Sequence, residues 1–197
     1  MARNNQARLS LVAPSGSGKS TLAGMLKQQF ESMGLTVAVL KLAQPLYEIQ
    51  ASFYEKSLVD VAKDKQNQRL LEIIATEMRR IDPYSLINNF QQRLDACQAD
   101  VIINDDLRDD QIDWPHLQRQ GFKILRIVAS GEKRAGYLNA RGDLSIVKNS
   151  NLNQQIACIR ADLVLVNNAS LDDLAFQARG LVQHLSRSGQ WGRHALA

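Results

Sequence analysis

Leu9-Ser10-Leu11-Val12-Ala13-Pro14-Ser15-Gly16-Ser17-Gly18-Lys19-Ser20-Thr21 opens the first structured unit of the chain and decides how the rest is read. From Arg8 to Ala13, the apolar residues Leu9, Leu11 and Ala13 alternate, which is the period of a short strand. Pro14 to Gly18 is turn chemistry. A helix is then predicted from about Lys19 to Met33, because Leu22, Met25, Leu26, Phe30 and Met33 fall at helical spacing and Gly34 suits its stop. Between strand and helix, residues 13–20 match G-x-x-x-x-G-K-[ST], with Ala13 in the first glycine position. A loop that wraps a phosphate must turn several backbone N–H groups inward, and glycine permits that path. The helix behind it adds free N–H groups and the positive end of its dipole. Ser15, Gly16, Ser17 and Gly18 would wrap a triphosphate, and Lys19 would neutralise its β/γ oxygens. The Ser20 hydroxyl would ligate Mg²⁺, and Thr21 would hold an α-phosphate oxygen. Ala13 is compatible with this path if its φ stays negative.

Composition narrows the remaining classes. The 197 residues suggest one domain at ~150 residues per domain, with room for an inserted flap. Apolar residues make up 45% and charged residues 22%, the balance of a folded globular chain. No apolar run approaches the ~18 residues of a membrane helix, and Met1 to Gln6 is not a signal core, so no membrane partner is expected. Cys97 and Cys158 stand alone, which argues against a disulfide scaffold or zinc module and fits a reduced cytoplasm. The net charge is +4, from 15 Arg and 9 Lys against 20 acids. The arginines are scattered rather than clustered, so no nucleic-acid partner is expected. The oligomeric state is not decided by the sequence, and a homodimer stays open.

The rest of the chain alternates strands and helices. Thr36–Leu40, Val101–Ile103, Phe122–Val128 and Leu163–Val166 read as strands. Leu46–Val61, Gln68–Arg80, a segment capped by Asp82-Pro83, a short one opened by Asp113-Trp114-Pro115, and one from Ser170 to about Leu185 read as helices. Ser170 to Asp173 resembles a capping box. Such alternation implies a three-layer α/β domain with a central parallel sheet over residues 1–197. Residues 46–98 are expected to form a helical region, the candidate acceptor-binding part, and the polar stretch 130–160, with three glycines, is expected to form a lid-like segment. The tail from Ser186 is expected to be loose.

No guanine-reading Asn-Lys-x-Asp and no Leu-Ser-Gly-Gly signature is present, which argues against a GTPase and a transporter ATPase. Several further segments, in order, carry a resemblance: Leu42-Ala43-Gln44-Pro45-Leu46, Arg69-Leu70-Leu71-Glu72 followed by Ala75-Thr76-Glu77-Met78-Arg79-Arg80, Asp106-Leu107-Arg108, and Ala161-Asp162 through Ser170-Leu171. Together with the glycine-rich loop, they make the chain resemble a phage-type deoxynucleoside monophosphate kinase. That group belongs to a wider one that includes dephospho-coenzyme A kinase. The resemblance spans about residues 9 to 176. Ser20 stands where many phage-type members carry Asp, and Ala75 replaces a glycine. The resemblance implies the P-loop nucleoside triphosphate hydrolase fold and ATP-dependent transfer to a nucleotide, with Mg²⁺ as cofactor. The alternatives are transfer to a ribose hydroxyl, or an ATP-binding switch or ATPase that transfers nothing.

Phosphoryl transfer also needs a carboxylate at the end of a neighbouring strand, cations for the acceptor and a closing flap. Asp106, with Asp105 beside it, ends the third strand and would hold Mg²⁺ or orient the acceptor through Arg108. Lys41, at the end of the second strand, should face the cleft rim. Arg69 and Arg80 are about three turns apart on one helix, so they share a face and could grip a monophosphate. Arg141, with Lys133 and Arg134, would reach from the flap to the transferring phosphate. Asn168 and Asn167 would form an adenine-side loop. Each of these cations also reads as a solvated surface charge.

Overall fold

Alternating apolar residues build five parallel strands, and two sets of helices cover their faces. The computed structural model describes residues 6–60, 67–141 and 152–187. The strands are β1 (Ala7–Val12), β2 (Val37–Val39), β3 (Val101–Leu107), β4 (Lys123–Val128) and β5 (Leu163–Val166), in the sheet order β2-β3-β1-β4-β5. All four pairings are parallel. Chain order reverses around β1, so the carboxyl ends of β1 and β3 open onto one crevice.

Leu9 and Leu11 of β1 and Val101 and Ile103 of β3 face α1 (Lys19–Glu31) and α8 (Leu171–Arg187). Leu22, Leu26 and Phe30 of α1 are fully buried there, each contributing roughly 2–3 kcal/mol of apolar burial. Val12, Ile102 and Ile124 face the other way. They pack with α4 (Ser85–Ala96), α5 (Asp113–Arg119) and α7 (Leu152–Cys158). The three-layer expectation therefore holds. A third, smaller cluster of Leu46, Ile74 and Leu86 joins α2 (Gln44–Lys56) and α3 (Gln68–Ile81) to α4, so these three helices form an annex.

Two local readings differ from expectation. Asp82 does not cap a helix starting at Pro83. Its carboxylate instead accepts from the Tyr84 amide at 2.9 Å in a turn, and α4 starts at Ser85. The lid-like stretch begins with a helix, α6 (Gly131–Arg141), despite its glycines. Residues 142–151 of that stretch, and the tail from 188, lie outside the described residues. The capping box at the start of α8 is present: the Asp173 amide donates to Ser170 Oγ at 3.1 Å, and the Ser170 amide donates to Asp173 Oδ2 at 3.0 Å.

β3 carries one extra residue opposite β1, where the register slips between Ser10↔Asn104 and Val12↔Leu107. This bulge lies at Asp105 and Asp106, at the mouth of the crevice.

Candidate active site

The loop after β1 has the path that a phosphate cradle requires. Gly16 and Gly18 have φ of +79° and +89°, the left-handed region that favours glycine. Space forbids a side chain at either: a Cβ on Gly16 would lie 2.7 Å from the Arg134 carbonyl oxygen, and one on Gly18 would lie 2.6 Å from Asn167 Nδ2. Ala13 is fully buried, and Leu58 alone among the described non-glycine residues has positive φ, so Ala13 meets the condition set for it. Gly18 is the N-cap of α1, and no acidic residue in the first turn competes with an anion for the positive end of the helix dipole. The Lys19 side chain is nearly buried and folds back over the loop. Its Nζ donates to the Ala13 carbonyl at 2.6 Å and the Pro14 carbonyl at 3.1 Å. Residues 15–21 line a cleft of about 280 Å³.

The two aspartates at the β3 bulge have different tasks. Asp105 faces α1: its Oδ2 accepts from Ser20 Oγ at 2.8 Å, and Lys41 Nζ sits 2.6 and 2.8 Å from its two oxygens. Asp106 turns to the opposite face and is saturated by other donors. Its Oδ1 accepts from the Leu42 amide at 2.8 Å and Asn104 Nδ2 at 2.7 Å, and its Oδ2 accepts from the Ala43 amide at 2.9 Å. Burial, followed by the Asp105 charge, pushes the Asp106 carboxyl up, while the two amides pull it down. Asp106 thus bolts the β2–α2 turn to β3. Asp105, rather than the expected Asp106, is the carboxylate set against the Ser20 hydroxyl. Strand alternation carries this signal, since Asp105 shares the α1 face with Val101 and Ile103.

On the annex side, Lys41, Tyr47 and Arg108 line the same cleft. Arg93 Nη2 donates to the Lys41 carbonyl at 2.8 Å and fixes the end of β2. Arg108 reaches Ser15 Oγ only at 3.5 Å. Arg69 and Arg80 do not line this cleft: Arg69 is exposed, and the Arg80 guanidinium is engaged at the surface by Glu77 at 2.8 Å. Their neighbour Arg79 instead makes the tertiary contact, 2.7 Å from Asp113 and 3.8 Å from Asp109. The Asp113 carboxyl is pushed up to about 6 by burial, against the pull of Arg79. Asp109 Oδ1 accepts from the amides of Gln111, Ile112 and Asp113, so Arg79 ties α3 to the loop that carries Arg108.

The α6 helix lies against the glycine-rich loop. Arg134 Nε donates to the Ser15 carbonyl at 3.1 Å, and Tyr137 and Leu138 line the cleft. The Arg141 side chain lies outside the described residues. Beneath the loop, Asn167 is 3% exposed. Its Nδ2 donates to the Ser17 carbonyl at 3.0 Å, and its Oδ1 accepts from Lys133 Nζ at 3.3 Å. Asn168 is exposed and its Oδ1 accepts from the Ser130 amide at 2.7 Å, so Asn167 rather than Asn168 touches the loop. No His/Cys/Asp/Glu cluster able to hold a metal by itself occurs among the described residues. No helix there is long and apolar enough to cross a membrane.

A five-stranded parallel sheet between helical layers, with a glycine-rich loop after the central strand, is a fold that this chain shares with solved small-molecule kinases. A gluconokinase from Sinorhizobium meliloti 1021 shares it, with TM-score 0.55 and 13% identity over 98% of this chain and 100% of that one. A shikimate kinase from Acinetobacter baumannii, solved in complex with shikimate, shares it with TM-score 0.53 and 13% identity over 92% and 96%. At such identities the likeness is one of fold. Neither a protein-family model nor a curated protein matches the sequence.

Proposed function

We propose that this protein transfers the terminal phosphoryl group of ATP to the phosphate of a small acceptor, a deoxynucleoside monophosphate, giving the diphosphate and ADP. The observation that carries the reading is the glycine cradle closed by Lys19, beside a Ser20–Asp105 pair and across from a cation-lined wall. In the reaction, an acceptor phosphate oxygen bonds to the γ-phosphorus as the bond to the β–γ bridging oxygen breaks. The bridging oxygen leaves on ADP. The Lys19 ammonium and the amides of residues 16–20 would neutralise the charge that gathers there.

The hard oxygens of Ser20 and Asp105, 2.8 Å apart, suit a Mg²⁺ ion. When bound it would supply charge neutralisation on the phosphate oxygens. Lys41 and Arg108 would position the acceptor.

The state of the two carboxylates favours a phosphate acceptor over a hydroxyl. A hydroxyl needs a carboxylate free to take its proton. Asp106 is saturated by three donors, and Asp105 is held by Lys41 and Ser20. A phosphate is already ionised at neutral pH and needs no base.

The test is incubation with ATP, Mg²⁺ and a panel of nucleoside and deoxynucleoside monophosphates, followed by chromatography. The expected product is one or more diphosphates, formed in step with ADP. Transfer to dephospho-coenzyme A alone, or ADP release without any acceptor, would overturn the reading.

A further inference from the structure

Tyr47 enters no step above, yet it lines the same cleft as Lys41 and Arg108, the two cations of the acceptor wall. Its place is rigid. Asp106 clamps the Leu42 and Ala43 amides, and the Ala43 carbonyl accepts from the amides of Leu46 and Tyr47 at 2.9 and 3.2 Å. Pro45 stiffens the first turn of α2. The ring is half-buried, and its electrostatic neighbours are Asp106, Arg108, Lys41 and Asp105.

The Tyr47 hydroxyl is not among the sealed-in polar atoms, so it is open to whatever fills the cleft. Among the described residues, none hydrogen-bonds the Tyr47 hydroxyl, and Arg108 makes only its 3.5 Å approach to Ser15. Two half-buried donors, a phenol and a guanidinium, therefore face one cleft with capacity unfilled. The carboxylates beside them are engaged by other groups, Asp105 by Lys41 and Asp106 by backbone amides. A ligand that satisfies this wall must bring acceptor oxygens and negative charge. Burial holds the phenol above its ordinary range, so at neutral pH it stays a donor.

We infer that Tyr47 is a binding residue for the acceptor, donating its hydroxyl hydrogen bond to a phosphate oxygen that Arg108 grips from the other side. The inference rests on the phosphotransferase reading for the place of the acceptor, but not on the identity of the nucleotide.

The experiment compares the parent with Tyr47→Phe, which keeps the ring and removes the donor. The full chain is loaded with a non-hydrolysable ATP analogue, and inorganic phosphate is titrated into it by calorimetry. Losing one hydrogen bond to a charged oxygen should weaken phosphate binding about tenfold or more. Affinity for the ATP analogue and the urea-unfolding midpoint should stay within about twofold and experimental error, respectively. Equal phosphate affinity in both proteins, no phosphate binding by the parent, or parallel loss of analogue binding would each overturn the inference. The nucleotide reading fails separately: a phosphate site that depends on Tyr47, in a protein that phosphorylates no monophosphate, would sink that reading and leave this one standing.

Discussion

Replacing Asp106 should damage the fold, whereas replacing its neighbour Asp105 should damage the chemistry. Asp106→Ala removes the acceptor for three donors: the Leu42 amide, the Ala43 amide and Asn104 Nδ2. Each buried donor left unpaired costs about 1–3 kcal/mol. Relief of the buried charge, which Asp105 repels, offsets part of this. The net expected loss is about 3–4 kcal/mol, or roughly 6–15 °C in unfolding temperature for a chain of this size. Asp106→Asn keeps the shape but turns an N–H₂ toward a donor, so it should lose about 1–2 kcal/mol. Asp105→Asn leaves Lys41 free to turn to water and relieves the repulsion between the two carboxylates, so stability should move by less than about 1 kcal/mol. Its effect should fall on the Mg²⁺ dependence of phosphoryl transfer, by about 10–100-fold. Urea unfolding and a Mg²⁺ titration of diphosphate formation read the two effects. The opposite pattern, a stable Asp106→Ala with a lost metal response, would refute the division of labour.

Gly16→Ala meets both a φ of +79° and the Arg134 carbonyl at 2.7 Å, so it should displace α6 and weaken ATP binding about tenfold or more by titration. Asn167→Ala removes the donor to the Ser17 carbonyl and the acceptor for Lys133, and should raise the KM for ATP severalfold while the KM for the acceptor holds. The Asp113 carboxyl binds its proton more tightly folded, at about 6, than its ordinary 3.8. Its contribution to stability is thus fully present below about pH 4 and is lost as pH rises through 6, a change of about 3 kcal/mol. Asp113→Asn should remove that slope, so parallel urea-unfolding free energies of the two proteins from pH 4 to 7 would contradict it.

The fold was legible because its signals are local. The alternation of Leu9 and Leu11, the helical spacing of Leu22, Leu26 and Phe30, and the turn between them act within a few residues. The α/β architecture follows from their repetition along the chain. The cradle was legible for the same reason, since loop, lysine and hydroxyl are contiguous. The rest of the site depends on which face a side chain takes after a long-range pairing. Sequence distance cannot separate Asp105 from Asp106. The pairing of β3 with β1 does, because it fixes which aspartate meets α1. Arg79, Arg80 and Arg69 share a helix, but only the packing of α3 against the β3–α5 loop selects Arg79 for the buried carboxylate of Asp113. Tyr47 was missed because a single tyrosine in a helix pattern carries no spacing signal. The clue available was its place two residues past Pro45, in the first turn of the helix that follows β2. The helix α6 was hidden by Gly131 and Gly136, whose weak helix propensity is overridden by packing against the loop at Leu138.

Everything proposed for the site requires that the loop of residues 13–20 hold a triphosphate. Calorimetric titration of MgATP into the parent and Lys19→Ala tests this directly. The parent should bind, and the variant should bind about 10–100-fold more weakly, as loss of charged hydrogen bonds dictates. Equal affinities in the two proteins, or no binding by the parent, would contradict the account.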